Sequence, residues 1–275
     1  MKSFIVTKSQ KLIKFIQSEY GENIKYSQIL KLLKNKDVKV NGKRISKDIE
    51  LYENDKIDVY YDGETIVKVL DIVYKDQNIL VIDKPKKCDY IESLNLVKKE
   101  YNSAVAVHRL DTNTTGIIIF ALNEVSENEL IKAFKEGKIQ KKYIAEVYGK
   151  FDKKEDVLTD YLVKDERLSK VKIYKEKTVN ALTVKTGYKV LSESEKTSII
   201  EVTLYTGRTH QIRAHMSFYG HFVIGDGKYG KEKINKELGA VVQRLTANYI
   251  NFNFSKDSPL NYLNNLTISL NRNPF

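Results

Sequence analysis

An unbroken run of six apolar residues at 117–122 constrains the fold of this chain more than any other segment. Such a run, bounded by polar residues, is typical of a strand that is buried on both faces of a sheet. Short apolar or alternating segments at 79–82, 143–147 and 200–204 predict further strands, whereas residues 124–136 have the spacing of a helix. Strands with few long helices favour an α+β fold over a series of parallel β-α-β units.

The first sixty residues predict a separate, smaller module that begins with two helices. The first helix is indicated by apolar residues at helical spacing, followed by a glycine: Leu12, Phe15, Ile16 and Gly21. The second is expected to begin near Ser27, because serine is a favourable capping residue. Its apolar side is predicted to carry Ile29, Leu30 and Leu33.

A hairpin is predicted after these helices. Val38 and Val40 alternate with polar residues and lead into Asn41-Gly42, a strong turn signal because both residues tolerate a positive φ. Residues 57–59 alternate again and predict a short final strand.

The charge of the chain indicates an anionic partner. Lysine and arginine number 47 against 36 acidic residues, which gives a net charge of +11 and a pI near 9.3. Most of the excess lies before residue 48, so a basic patch is concentrated at one end of the chain. A nucleic acid is the natural counterpart, since each neutralised phosphate releases condensed counterions.

The N-terminal pattern resembles the S4 RNA-binding module. The similar segment is YSQILKLLKNKDVKVNGKRISKDIELYENDKIDVYY, and the resemblance covers roughly residues 10–61. It implies that the second helix and the hairpin present basic side chains to structured RNA. The candidates are Lys31, Lys34, Lys36, Lys39, Lys43 and Arg44. A solvated charged helix on an unrelated domain is the alternative.

Further along the chain, HRLDTNTTG at 108–116 places the carboxylate of Asp111 in a polar turn directly before the predicted buried strand. It resembles the HRLDxxTSG signature of the RluA-type pseudouridine synthases. Three more segments follow that family's pattern in order: ILVIDKP, KKYIAEVYG and GRTHQIRAHMSFYGHFVIGDGKYG. The resemblance covers about residues 71–230 and implies a catalytic domain with a mixed, mostly antiparallel central sheet flanked by helices.

The resemblance also implies how a uridine would be isomerised without a cofactor. Asp111 would be the essential carboxylate, which either attacks the nucleoside or promotes an elimination at the sugar. Arg213 would keep this carboxylate ionised, because a nearby guanidinium offsets the cost of desolvating it. Tyr143 would stack on the target uracil, and Arg109 would fill the space left by the flipped nucleotide. Arg208 is the rival of Arg213 and is expected to contact phosphate or brace its loop.

The remaining motif residues are expected to be structural: His108, Leu110, Thr115, Gly116, His210 and Gln211. A metal site is not expected, because His210 and His215 have a poor spacing for one helical face and no acidic or cysteine ligand accompanies them. The single cysteine, Cys88, excludes an intrachain disulfide and fits a reducing cytosol. The segment 86–95 departs from the family pattern and predicts a rebuilt loop near the active site.

The chain is therefore predicted to contain an S4-like module at 1–62, a linker at 63–70 and a pseudouridine synthase domain at 71–275. The expected substrate is RNA, with 23S ribosomal RNA favoured and transfer RNA left open. A monomer in the cytoplasm, with no metal and no membrane segment, is expected. Two alternatives are a non-catalytic RNA-binding or ribosome-assembly protein and a metal-dependent RNA hydrolase.

Overall fold

The computed structural model describes residues 1–21, 24, 26–61, 70–86, 88–167, 169–272 and 274–275. The chain divides into two compact units, Met1–Val69 and Leu70–Phe275. Apart from Leu70, the predicted linker at 63–70 lies outside the described residues.

The first unit packs two short helices against a small sheet. Its elements are β1 (Lys2–Ile5), β2 (Gln10–Lys11), α1 (Leu12–Tyr20), α2 (Tyr26–Lys34), β3 (Val38–Val40), β4 (Lys43–Ile45), β5 (Glu50–Leu51) and β6 (Lys56–Val59). Four antiparallel strands lie in the order β1-β6-β3-β4. The predicted hairpin is confirmed, since Asn41 and Gly42 connect β3 to β4 with φ values of 48° and 78°.

The prediction for the second helix is partly wrong. α2 begins at Tyr26, so Ser27 lies inside the helix instead of capping it. Its buried residues are Ile29, Leu32 and Leu33, whereas the side chain of Leu30 is 44% exposed. The buried face therefore follows an i, i+3, i+4 pattern that is centred on Ile29 and turned away from Leu30.

The second unit is built on one large sheet. Its strands are β7 (Ile72–Lys75), β8 (Ile79–Lys84), β9 (Val105–Ala106), β10 (Thr115–Ala121), β11 (Ile139–Tyr148), β12 (Glu155–Asp165), β13 (Lys170–Tyr174), β14 (Leu182–Glu193), β15 (Thr197–Leu204), β16 (Leu245–Phe252) and β17 (Thr267–Ser269). Its helices are α3 (Tyr90–Lys98), α4 (Glu124–Lys135), α5 (Gln211–Phe218) and α6 (Glu232–Glu237).

Within the described residues, eleven strands form this sheet, with a main order of β13-β12-β14-β15-β11-β16-β10-β8-β7. The pairing of β10 with β16 is parallel and the other pairings are antiparallel, so the predicted mixed, mostly antiparallel sheet is confirmed.

The apolar run at 117–122 forms most of β10, which is buried along its whole length. Ile118 and Phe120 pack into a core cluster on one face of the sheet, and Ile117 and Ile119 pack into a second cluster on the other face. A strand with both faces covered needs apolar residues at every position, which explains the unbroken run. The strand is therefore a rigid support for the loop that precedes it. Among the described residues, every helix is too short or too polar to cross a bilayer.

Candidate active site

The loop at 108–114 carries Asp111 and is tied to the sheet at both ends. The buried ammonium of Lys84, at the end of β8, donates to the carbonyl oxygens of Cys88 at 2.8 Å and Thr112 at 3.2 Å. On the other side, the amide of Gln243 donates to Thr114 Oγ1 at 2.9 Å. The bonds to Thr112 and Thr114 hold the part of the loop that follows Asp111 and leads into β10.

Thr115 and Gly116 join this loop to the neighbouring parallel strand. The hydroxyl of Thr115 lies 2.8 Å from that of Thr246 on β16. Gly116 has a φ of 107°, and a Cβ at this position would lie 2.1 Å from the carbonyl oxygen of Ala247. Only glycine fits this close backbone approach, which gives a physical reason for the glycine at the end of the HRLDTNTTG segment.

Asp111 is paired with Arg213, which lies on α5 and is distant in sequence. Arg213 Nη1 donates to Asp111 Oδ2 at 2.7 Å, and about a fifth of the Asp111 side chain is exposed. Arg208 was the other candidate for the guanidinium that pairs with Asp111. It has no such bond, and it is exposed and lines the same cavity.

The guanidinium of Arg213 is itself fixed by Asp226. Arg213 Nε and Nη2 donate to the two carboxylate oxygens of Asp226 at 2.6 and 3.0 Å, and both residues are buried. Burial opposes the positive charge of Arg213, but the bonds to Asp226 and Asp111 outweigh it and raise the pKa of Arg213. Burial likewise opposes the charge of Asp226, but its bonds from Arg213 and from backbone amides lower its pKa.

A buried polar network anchors α5. The amide of Gln211 donates to Thr186 Oγ1 at 2.9 Å, and its oxygen accepts from the backbone N–H of Arg208. The ring of His215 bridges Thr186 and Asp160, with contacts of 2.9 Å on each side. Buried hydrogen bonds of this kind favour one position of the helix, so the network helps to set where Arg213 lies.

Tyr143 on β11 forms one wall of the space in front of Asp111. Its ring is buried except for 6% of the residue surface, and burial together with the charge of Asp111 raises the pKa of its hydroxyl. Two adjoining cavities of about 70 and 520 Å³ both include Asp111 and Tyr143 in their lining. They form one cleft, which also includes Arg109 and Arg208.

Two histidines, His108 and His210, line the same cleft. His108 Nε2 accepts from the backbone N–H of Ile119 at 2.9 Å, and burial lowers its pKa to about 3, so the ring is neutral at ordinary pH. His210 lies just before α5 with a φ of 52° and contacts the hydroxyl of Tyr229 at 3.0 Å through Nδ1. Leu110, in the same loop, is buried.

The structure therefore brings Asp111, Arg213, Tyr143, Arg109 and Arg208 to one cleft. The basic residues predicted to bind RNA in the first unit lie on α2, on the β3–β4 hairpin and, for Lys36, between the two, and each is exposed or half-buried. Arg44 Nη1 donates to the carbonyl oxygen of Lys36 at 2.8 Å and so joins the hairpin to the residues that follow α2.

Sequence reasoning missed Asp226 and Lys84 as supports of the site. Both lie inside segments that carried the family resemblance, Asp226 in the GDGKYG sequence and Lys84 in ILVIDKP. The signal was present, but only the distances show which side chain each one holds. Among the described residues, no group of three His, Cys, Asp or Glu side chains is arranged to hold a metal ion.

Comparisons with known proteins agree with this geometry. Residues 69–218, more than half of the chain, match the family model described as RNA pseudouridylate synthase. The chain belongs to this family. It is 34% identical to an uncharacterized RNA pseudouridine synthase of Mycoplasma capricolum, in an alignment that covers 98% of each protein. It is 26% identical to the ribosomal large subunit pseudouridine synthase C of Vibrio parahaemolyticus, over 90% of this chain and 86% of that protein.

The fold agrees with the same family. The solved structure of human RNA pseudouridylate synthase domain containing 1 matches with a TM-score of 0.66 and 24% identity, over 76% of this chain and 85% of that one. The chain is thus an RNA pseudouridine synthase, an isomerase whose substrate is RNA, and the predicted RluA-type family and α+β fold are confirmed.

Proposed function

We propose that this synthase isomerises specific uridines of 23S ribosomal RNA, with Asp111 as the essential carboxylate and without a cofactor. In the reaction, the bond between N1 of uracil and C1′ of ribose breaks and a bond between C5 and C1′ forms. The C5 proton is lost and N1 regains one, so no electrons are gained or lost overall. The chemistry therefore needs a carboxylate, a held base and room for the base to turn.

The observation that carries this proposal is the pairing of Asp111 with Arg213 inside the cleft. The 2.7 Å bond pairs the carboxylate with a guanidinium in a site that is largely shielded from water. Because Arg213 is fixed by Asp226, it stabilises the carboxylate without closing off its exposed side. Asp111 either attacks the nucleoside or promotes an elimination at the sugar, and both routes require the ionised form.

Tyr143 is proposed to stack on the target uracil. A flat ring contact restrains the base while it permits rotation in its own plane, as the change from an N1 to a C5 bond demands. Stacking of a base on an aromatic ring contributes about 1–3 kcal/mol, which helps to offset its removal from the RNA stack. Arg109, exposed at the cleft, is proposed to occupy the position that the flipped nucleotide leaves.

Ribosomal RNA is favoured because two kinds of observation agree. Several relatives across most of the chain are named ribosomal large subunit pseudouridine synthase C. The first unit also carries a basic helix and hairpin, and we propose that this face, from Lys31 to Arg44, is an S4-like module that binds structured RNA. A monomeric state and a cytoplasmic location remain predictions from the sequence.

A tritium-release assay tests the proposal directly. RNA labelled at uracil C5 and purified from cells that lack the synthase is offered to the wild type, to Asp111→Asn and to a control, Asp152→Asn, at an exposed carboxylate outside the cleft. We expect Asp111→Asn to abolish turnover but largely to spare affinity, because phosphate contacts do not use this charge. Substantial turnover by Asp111→Asn would refute its assignment.

The substrate class needs a separate measurement. Pseudouridine mapping of cellular RNA with and without the synthase should show sites lost from 23S ribosomal RNA. Sites lost from transfer RNA instead would overturn the ribosomal assignment and leave the role of Asp111 untouched. If neither RNA released tritium in the assay, under conditions where the protein binds both, a non-catalytic RNA-binding protein would be favoured.

A further inference from the structure

A polar groove continues from the catalytic cleft along the start of β11 and the end of β15. Its volume is about 360 Å³, and it shares Phe134, Lys141, Tyr205 and Gly207 with the cleft. Among the described residues that line the two cavities, Asp111 is the only carboxylate, whereas lysine and arginine recur. The groove is therefore suited to an anionic chain that enters or leaves the site.

The ammonium of Lys141 has no anionic partner among the described residues. Its ammonium lies 5.0 Å from the centre of the Phe134 ring, and no hydrogen-bond acceptor or carboxylate is paired with it. Burial lowers the pKa of Lys141, which means that the charged form lacks compensation. A bound anion would compensate this charge.

The position of Lys141 relates it to the reaction. It precedes Tyr143 by two residues on β11, and both side chains line the cleft. Two residues of a strand span about 7 Å, so Lys141 and Tyr143 lie about one nucleotide apart along β11. The intervening Lys142 differs, since its ammonium is paired with Glu201 at 2.9 Å and does not line the cleft.

Tyr205 offers an aromatic surface at the mouth of the groove. It follows β15, its side chain is 53% exposed, and the ammonium of Lys185 lies 4.9 Å from the ring centre. Its ring packs beside Gly187, where an added Cβ would lie 3.2 Å from the ring. An exposed aromatic ring among basic side chains is the usual arrangement for stacking an unpaired base of RNA.

We propose that this groove binds the nucleotide next to the target uridine, with Lys141 holding the phosphate between the two and Tyr205 stacking on the neighbouring base. The inference rests on the proposed function, since it requires an RNA strand whose uridine occupies the cleft. It assigns to Tyr205 a part in choosing which uridine is modified, because stacking strength depends on the base that is offered.

The test combines protein variants with altered RNA. Several RNA fragments containing the mapped uridine are prepared, each with a single change. The change is an abasic residue on one side of the uridine or the other, or an uncharged methylphosphonate at one of its two linkages. Tyr205→Ala should lower kcat/KM about 5- to 100-fold on normal RNA, whereas Tyr205→Phe should retain it. The defect of Tyr205→Ala should disappear on the RNA that lacks the stacked base.

Lys141→Met should weaken binding about 10-fold and reduce the slope of log Kd against log salt by about 0.7–1. This defect should disappear with the methylphosphonate at one linkage, and Lys141→Arg should behave nearly as the wild type. Lys142→Met and Tyr174→Ala, at a paired lysine and an exposed tyrosine outside the cleft and groove, are the controls.

Defects of the same size on normal and altered RNA would mean that Tyr205 only covers Gly187 and that Lys141 only packs on Phe134, which would overturn the proposal. Wild-type behaviour of Tyr205→Ala and Lys141→Met would overturn it equally. A failure of the proposed function is distinguishable, because it appears as continued turnover by Asp111→Asn whatever the groove variants do.

Discussion

Replacement of Asp226 by asparagine should be among the most damaging single changes in the second unit. Asp226 accepts two bonds from Arg213, at 2.6 and 3.0 Å, and two from the backbone N–H groups of Lys228 and Tyr229. Asparagine can keep the backbone bonds through its oxygen, but it removes the charge that compensates a buried guanidinium. Breaking a buried ion pair by removing one partner costs about 3–5 kcal/mol.

This loss is large against the typical total stability of a domain, about 5–15 kcal/mol. Urea unfolding followed by far-UV circular dichroism is the assay. With a slope of about 2 kcal/mol per M, the midpoint of Asp226→Asn should lie roughly 1.5–2.5 M below that of the wild type. The control is Glu232→Gln, whose partner Lys236 lies 2.7 Å away at the exposed surface, and it should change stability by no more than about 0.5 kcal/mol.

A double-mutant cycle makes the cause testable. Arg213→Met alone leaves Asp226 as a buried charge and should also be destabilising, whereas adding Asp226→Asn to it should cost little or restore stability. Turnover should fall about 100-fold in Asp226→Asn, because Arg213 is no longer held against Asp111. Additive losses in the cycle, or a loss below about 1 kcal/mol for Asp226→Asn, would refute the reasoning.

Three further outcomes are expected. The pKa of Asp226 is lowered in the folded protein, so its contribution to stability is complete well above the unfolded pKa near 4 and is lost as pH falls through the folded pKa. The difference in unfolding free energy between wild type and Asp226→Asn should therefore narrow below about pH 4. A difference that stays constant with pH would contradict this. Gly116→Ala should cost about 2–6 kcal/mol in urea unfolding, from backbone strain and from the clash with Ala247 together. Gly137→Ala, which has open space around it, should cost about 1 kcal/mol, and equal losses would argue against the close approach to β16. Removal of residues 1–62 should weaken RNA binding and flatten its salt dependence, and an unchanged salt slope would refute an RNA-binding role for that module.

Much of the local structure was predictable because it depends on near neighbours. The apolar run at 117–122 required a strand covered on both faces, and β10 is such a strand. Asn41-Gly42 required a turn with positive φ at both positions, and they form it. The buried face of α2 was harder to predict, because Leu30 and Leu32 are both leucines in the same turn. Only the packing of the first unit decides that Leu32 is inside.

The site residues divide in the same way. Asp111, Tyr143 and Arg213 could each be predicted, because each lies in a short motif whose residue order resembles that of the family. The buried lysine beneath the loop, Lys84, and the carboxylate of Asp226 were not singled out. Each acts through a partner on another segment, and the sequence does not state which segments meet.

The sequence by itself determined the buried strand at 117–122, the Asn41-Gly42 turn, the basic N-terminal region and the membership of a catalytic family, because these depend on residue types at short spacing. Only the tertiary structure shows that Asp226 fixes Arg213 against Asp111 and that, among the described residues, Lys141 has no anionic partner beside the cleft. The physical reason is that the energy of a buried charge depends on what surrounds it in space.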